Sequence, residues 1–163
     1  MARNHTALTM TPYSRAFVRA SAGIDWSRPC LIWLCDYVLD ETGVDPAAAW
    51  RRAEWTERTA MATMARVGRG HQGDSLVEKA LEEAAATCGW AAADVPDGAC
   101  VGVFQYGDIG LPAVFDGNGS WLVATAAGAV VTKRTPKKIW RLPCAVDVPG
   151  GANSPVLDGP GSG

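Results

Sequence analysis

Cys30 stands directly after Pro29, in the run Trp26-Ser-Arg-Pro-Cys30-Leu-Ile-Trp-Leu-Cys35-Asp36-Tyr-Val-Leu39. The proline followed by a long apolar stretch predicts that Cys30 lies in the first turn of a helix. Free N–H groups and partial positive charge at that end favour the thiolate, the nucleophilic form of the side chain. Acyl transfer by such a thiolate also needs a base, normally an imidazole within hydrogen-bond reach. The chain has two histidines, His5 and His71. His5 lies in an N-terminal arm. His71 lies in the glycine-rich link Gly68-Arg-Gly70-His-Gln-Gly73, where a solvent-exposed loop histidine is the simpler expectation. Cys35 follows five residues after Cys30, on another helix face, and is expected in the core. Asp25 and Asp36 read as capping or surface groups. Asp94, Asp97 and Asp108 are spread over loops with no spacing that pairs carboxylates for acid–base work.

The elements that must position Cys30 follow from periodicity and punctuation. Residues 1–14 have no periodicity and form an arm. A short helix over Ser14 to Ala22 would turn Phe17 and Val18 inward. The Cys30 helix should run to about Thr42, with Gly43 at its C′ position. Leu31, Ile32, Trp33, Leu34, Val38 and Leu39 cover almost every face of it, so it should be the central buried helix. Asp45-Pro46 is an N-cap signal, Thr56 can cap a helix ending at Gly68, and Asp74 or Ser75 can cap one closed by Gly89. From Gly98 the pattern changes to short strands: 99–104, 113–116, 120–125, 129–133 and 139–142, with a hairpin at Gly117-Asn118-Gly119. Helices first and antiparallel strands later predict an α+β domain over residues 15–143. Trp33, Leu34, Val38, Val101, Val103, Val114, Leu122 and Val130 are the expected core, with Trp121. Residues 144–163 are dominated by Gly, Pro, Ser, Asn and Asp, too poor in apolar surface to offset their own ordering entropy.

Bulk composition narrows the function. The chain has 163 residues, enough for one domain with a proper core, and a net charge of −2. That charge argues against an electrostatic nucleic-acid binder. The basic run Lys133-Arg134-Thr-Pro-Lys137-Lys138 is short and reads as a solvated loop rather than an anion contact. Five cysteines without a Cys-x-x-Cys pair suggest neither a disulfide framework nor a zinc site, so no metal and no cofactor is expected. The longest apolar stretch, Leu122 to Val131, is too short to span a bilayer, and membrane insertion is not expected.

The order of elements resembles the NlpC-type cysteine peptidases, whose fold is a circularly permuted papain-like one. It is more similar still to a family of uncharacterised phage and prophage proteins that look like degenerate relatives of those peptidases, encoded among tail-assembly genes. The similarity covers roughly residues 15–142. It rests on Trp26…Cys30…Asp36-Tyr37-Val38, Thr42-Gly-Val-Asp-Pro46, the glycine-rich link, Pro96-Asp-Gly98, Ala113-Val-Phe-Asp-Gly-Asn-Gly119 and Lys138-Ile-Trp-Arg141. The departures matter more. Pro29 replaces the aspartate before the cysteine, and Gly98-Ala99 replaces Gly-Asp at the first strand. In the register set by Gly117, Leu111 takes the catalytic histidine position, beside Pro112, and Val123 falls near the third, polar position.

The resemblance therefore implies a papain-like (NlpC-type) α+β fold and a catalytically inert structural or assembly component of a phage or phage-like tail, at the tail tip or baseplate. Such a protein is made in the cytoplasm of a bacterial host and ends in the virion. Its expected partners are other tail or baseplate proteins, held through the N-terminal arm and the C-terminal tail. The alternative is a cysteine amidase or endopeptidase acting on cell-wall peptide, with Cys30 as nucleophile. Trp50 and Trp55, flanking Arg51-Arg52-Ala-Glu54, read equally well as a partner-facing anchor or as half-buried staples over the helices.

Overall fold

A computed structural model describes residues 10–23, 31–67 and 76–144. Four helices come first: α1 (Pro12–Ser21), α2 (Ile32–Thr42), α3 (Glu57–Val67) and α4 (Leu76–Cys88). Six strands follow: β1 (Ala91–Ala93), β2 (Cys100–Tyr106), β3 (Ile109–Phe115), β4 (Trp121–Thr125), β5 (Gly128–Thr132) and β6 (Lys138–Arg141). They form one sheet in the order β1-β6-β2-β3-β4-β5, with every neighbouring pair antiparallel. The domain is thus α+β with its helices N-terminal, as the sequence pattern predicts.

Local chemistry accounts for most boundaries. Thr11 caps α1, its Oγ1 accepting from the Ser14 N–H at 3.1 Å, and Pro12 takes the first turn, where a missing N–H costs nothing. Thr56 and Thr59 cap α3 reciprocally: the Thr56 N–H donates to Thr59 Oγ1 at 2.9 Å and the Thr59 N–H to Thr56 Oγ1 at 3.2 Å. Gly43 ends α2 at φ 76°, a left-handed conformation that costs a residue with a Cβ. Asp116 shapes the β3–β4 turn, its Oδ1 accepting from the Asn118 and Ser120 N–H groups.

Strand residues divide by parity between two clusters, because successive side chains point to opposite faces. Val101, Val103, Val114, Leu122, Ala124 and Trp140 join the larger cluster, with Leu31, Leu34 and Val38 around α2, Ala16 and Ala20 of α1, and Val77, Ala80 and Leu81 of α4. Cys100, Ala113, Phe115, Trp121, Val123 and Ile139 form the second cluster on the other face, which holds strand residues only. Phe115 and Phe104 pack against the Trp121 ring with centroids 5.1 and 6.3 Å away.

The structure corrects several expectations. Val130 is 50% exposed. It pairs with Val123 and so faces the second cluster, but β5 is an edge strand and, among the described residues, no strand lies beyond it. Phe17 and Val18 are also exposed. The inward face of α1 is instead Ala16 and Ala20, whose small side chains let the helix lie close enough for Trp33 Nε1 to donate to the Ala16 carbonyl at 2.9 Å. Leu39 points outward, so α2 is buried on most but not all of its faces. Strand β1 was not expected. Its three alanines carry no β-branched signal, and pairing with β6 specifies it. Asp45-Pro46 opens a hydrogen-bonded turn rather than a helix.

Candidate functional site

Cys30, His5, His71 and Asp25 lie outside the described residues, as do the arm before Met10 and the tail after Cys144. The helix α2 itself begins at Ile32, with Leu31 at its N-cap. Leu31 is 1% exposed, and no side chain caps the first turn among the described residues. Beside it is an apolar pocket of about 150 Å³ lined by Leu31, Cys35, Trp50, Ala80, Leu81 and Trp90. Cys35 is buried there as expected, and burial, the first cause, pushes its thiol pKa well up. Burial also raises the thiols of Cys88 and Cys100. These three are therefore packing groups with little thiolate at neutral pH.

Leu111 and Val123 belong to the second cluster, Leu111 at its partly buried margin and Val123 at 5% exposure. That face of the sheet is turned from the cluster that α2 builds. Strand pairing sets Leu111 opposite Phe104 and Val123 opposite Ala113 and Val130, so both positions have only apolar cross-strand partners. Asp94, Asp97 and Asp108 are exposed and scattered, and no group of three or more metal-ligating side chains occurs among the described residues. Among them, no helix is long and apolar enough to cross a membrane.

Two polar constellations emerge that periodicity did not reveal. In the first, Arg51 reaches from the turn after Asp45 to both Asp45 and Asp36, at 2.6 and 2.8 Å. Burial raises the Asp45 pKa, but hydrogen bonds from Arg51 and the Ala47 N–H outweigh it, and the net direction is down. This clamp fixes the turn against α2 and sets Trp50 and Trp55 edge to face, 6.3 Å apart and partly buried against the core. Both tryptophans thus pack on the helix layer.

In the second, Glu78 of α4 is 1% exposed and accepts from Lys137 and Lys138, each at 2.7 Å. Lys138 also pairs with Glu82, which Lys79 holds at 3.0 Å. Burial raises the Glu78 pKa, yet the two lysine hydrogen bonds prevail and lower it. Half of the basic run is therefore tied to α4 rather than solvated. The available signal was Glu78 itself, a charge beside Val77 on the inward side of an apolar helix.

At the end of α2 remote from Leu31, a cleft of about 700 Å³ runs between Glu41, Gly89, Ala91, Asp97, Arg141 and Cys144. Its described lining mixes small residues with charges of both signs. Comparisons with protein-family models, with curated proteins and with solved structures gave no match for this chain.

Proposed function

We propose that the chain is a catalytically inert structural or assembly component of a phage tail or phage-like particle, at the tail tip or baseplate. The carrying observation is that, among the described residues, no strand of the sheet holds a histidine. At the position where the resemblance requires that base the chain has Leu111, which cannot accept a proton from a thiol and lies on the face of the sheet turned from α2. The helices-then-antiparallel-sheet order is compatible with a papain-like ancestry, and that finer assignment is part of the proposal. On this reading the protein is made in the bacterial cytoplasm and incorporated into the virion, with the arm and the tail contacting other tail proteins.

Two measurements test it. Incubated with peptidoglycan or cell-wall stem peptides, the purified protein should release no product, and Cys30→Ala should behave identically. Turnover that disappears in Cys30→Ala assigns the chain to the amidases instead. Removing residues 145–163 should leave the thermal unfolding of the domain unchanged while reducing its incorporation into particles. Full incorporation of the truncated chain rejects the assembly role of the tail.

A further inference from the structure

The start of α1, the end of α2 and the β3–β4 turn meet around a pocket of about 290 Å³. Two tyrosines line it, Tyr13 and Tyr37, together with Glu41, Phe115 and Asp116, the Phe115 ring being packed on Trp121 in the other cluster. Tyr37 is 3% exposed, and among the described residues its hydroxyl has no hydrogen-bond partner. Among the described residues no fully enclosed side-chain polar atom is left unpaired, so this hydroxyl touches open space, and Tyr37 lines the pocket. A phenol whose ring is buried and whose hydroxyl reaches a cavity can exchange a hydrogen bond with a ligand there.

The charge of the site selects that ligand. Glu41 enters no ion pair among the described residues. Asp116 uses Oδ1 on the Asn118 and Ser120 N–H groups and likewise has no cation against it. The described lining residues include no lysine or arginine. Both tyrosines feel this negative field: burial and then Asp116 raise the Tyr13 pKa, and burial and then Glu41 raise that of Tyr37. An anion is repelled here. A cation meets two carboxylates and two phenol groups.

We propose that this pocket binds an organic cation, the ammonium or guanidinium head of a basic side chain or of a free amine. The pocket shares Glu41, Gly98 and Ala99 with the larger cleft beside β1, so a chain bearing the cation has a path onward. This inference is independent of the assembly reading.

The test is titration of the full ¹⁵N-labelled chain with n-butylammonium, read at the amides of Gly98, Ala99 and Gly117, with n-butanol as the neutral control. Saturable shifts with the ammonium and none with the alcohol are expected. Glu41→Gln and Tyr37→Phe should each weaken binding about tenfold, the scale of one charge-assisted hydrogen bond. Glu41 is exposed, so its variant tests the site without risk to folding. Equal shifts with butanol, no shift at all, or an unchanged affinity in Glu41→Gln overturns the proposal. The peptide Gly-Gly-Lys-Gly separates the sources. Tighter binding than butylammonium assigns the site to a partner polypeptide, and equal binding assigns it to a free amine.

Discussion

Leu34→Ala should destabilise the domain by about 3 kcal/mol and lower its melting temperature by about 10 °C. Leu34 is fully buried in α2, within the cluster that joins α1, α2, α4 and one face of the sheet. Truncation removes three side-chain carbons from water-excluded contact and leaves a void that neighbours on several rigid elements cannot all relax to fill. The matched control is Phe17→Ala. Phenylalanine is the larger residue, yet Phe17 is 42% exposed, and its loss should cost under about 1 kcal/mol. Urea denaturation of both variants decides the matter. A Leu34→Ala penalty no greater than that of Phe17→Ala would remove α2 from the centre of the fold.

That contrast also locates what sequence reasoning can reach. The α2 segment carries apolar residues at nearly every position, so its burial follows from composition alone, and of the residues expected in the core every one but Val130 is buried. The hairpin at Gly117–Gly119 is equally local, since its Asx turn is written into the consecutive residues Asp116 to Ser120. Phe17 was misjudged because hydrophobicity ranks it above Ala16 and Ala20, whereas close helix packing favours the smaller pair. Val130 was misjudged because strand order decides whether a valine lies inside a sheet or at its edge, and strand order is not a local property. Strand β1 failed for a related reason: three alanines become a strand only once β6 lies beside them.

The candidate site was less legible than the fold. Position Cys30 could be argued from Pro29 and the helix behind it. The face on which Leu111 and Val123 lie needed strand register. The tyrosine pocket needed three elements separated by up to about a hundred residues to meet, and no spacing rule connects Tyr13 with Tyr37 and Asp116. Chemistry distributed over distant segments in this way is invisible until topology brings the segments together.

Glu78→Gln should cost about 2 kcal/mol at pH 7, and the cost should vanish in acid. The carboxylate of Glu78 is 2% exposed, while Lys137 and Lys138 each keep 42% of their side chains in contact with solvent. Glutamine preserves the shape and an acceptor but removes the charge. A fully buried partner left behind would raise the cost to several kcal/mol, but these ammonium groups can turn to water, which holds the penalty near that of two charge-assisted hydrogen bonds lost in part. The sign with pH follows from the folded-state shifts. The Glu78 pKa is depressed, so its contribution is fully present above the unfolded carboxyl value near 4.3 and is lost as pH falls through the folded value. The Lys138 pKa is raised, first by the hydrogen bond to Glu78, so its contribution is present below the unfolded lysine value near 10.4 and declines only at higher pH. Between those limits the wild-type chain should exceed Glu78→Gln in stability by a constant amount. Below them Glu78 is protonated and the two proteins should converge. Denaturation midpoints measured from pH 7 to pH 3 test this directly. Parallel curves without convergence would mean that Glu78 acts through packing, and that the salt bridges linking α4 to β6 contribute no electrostatic stability.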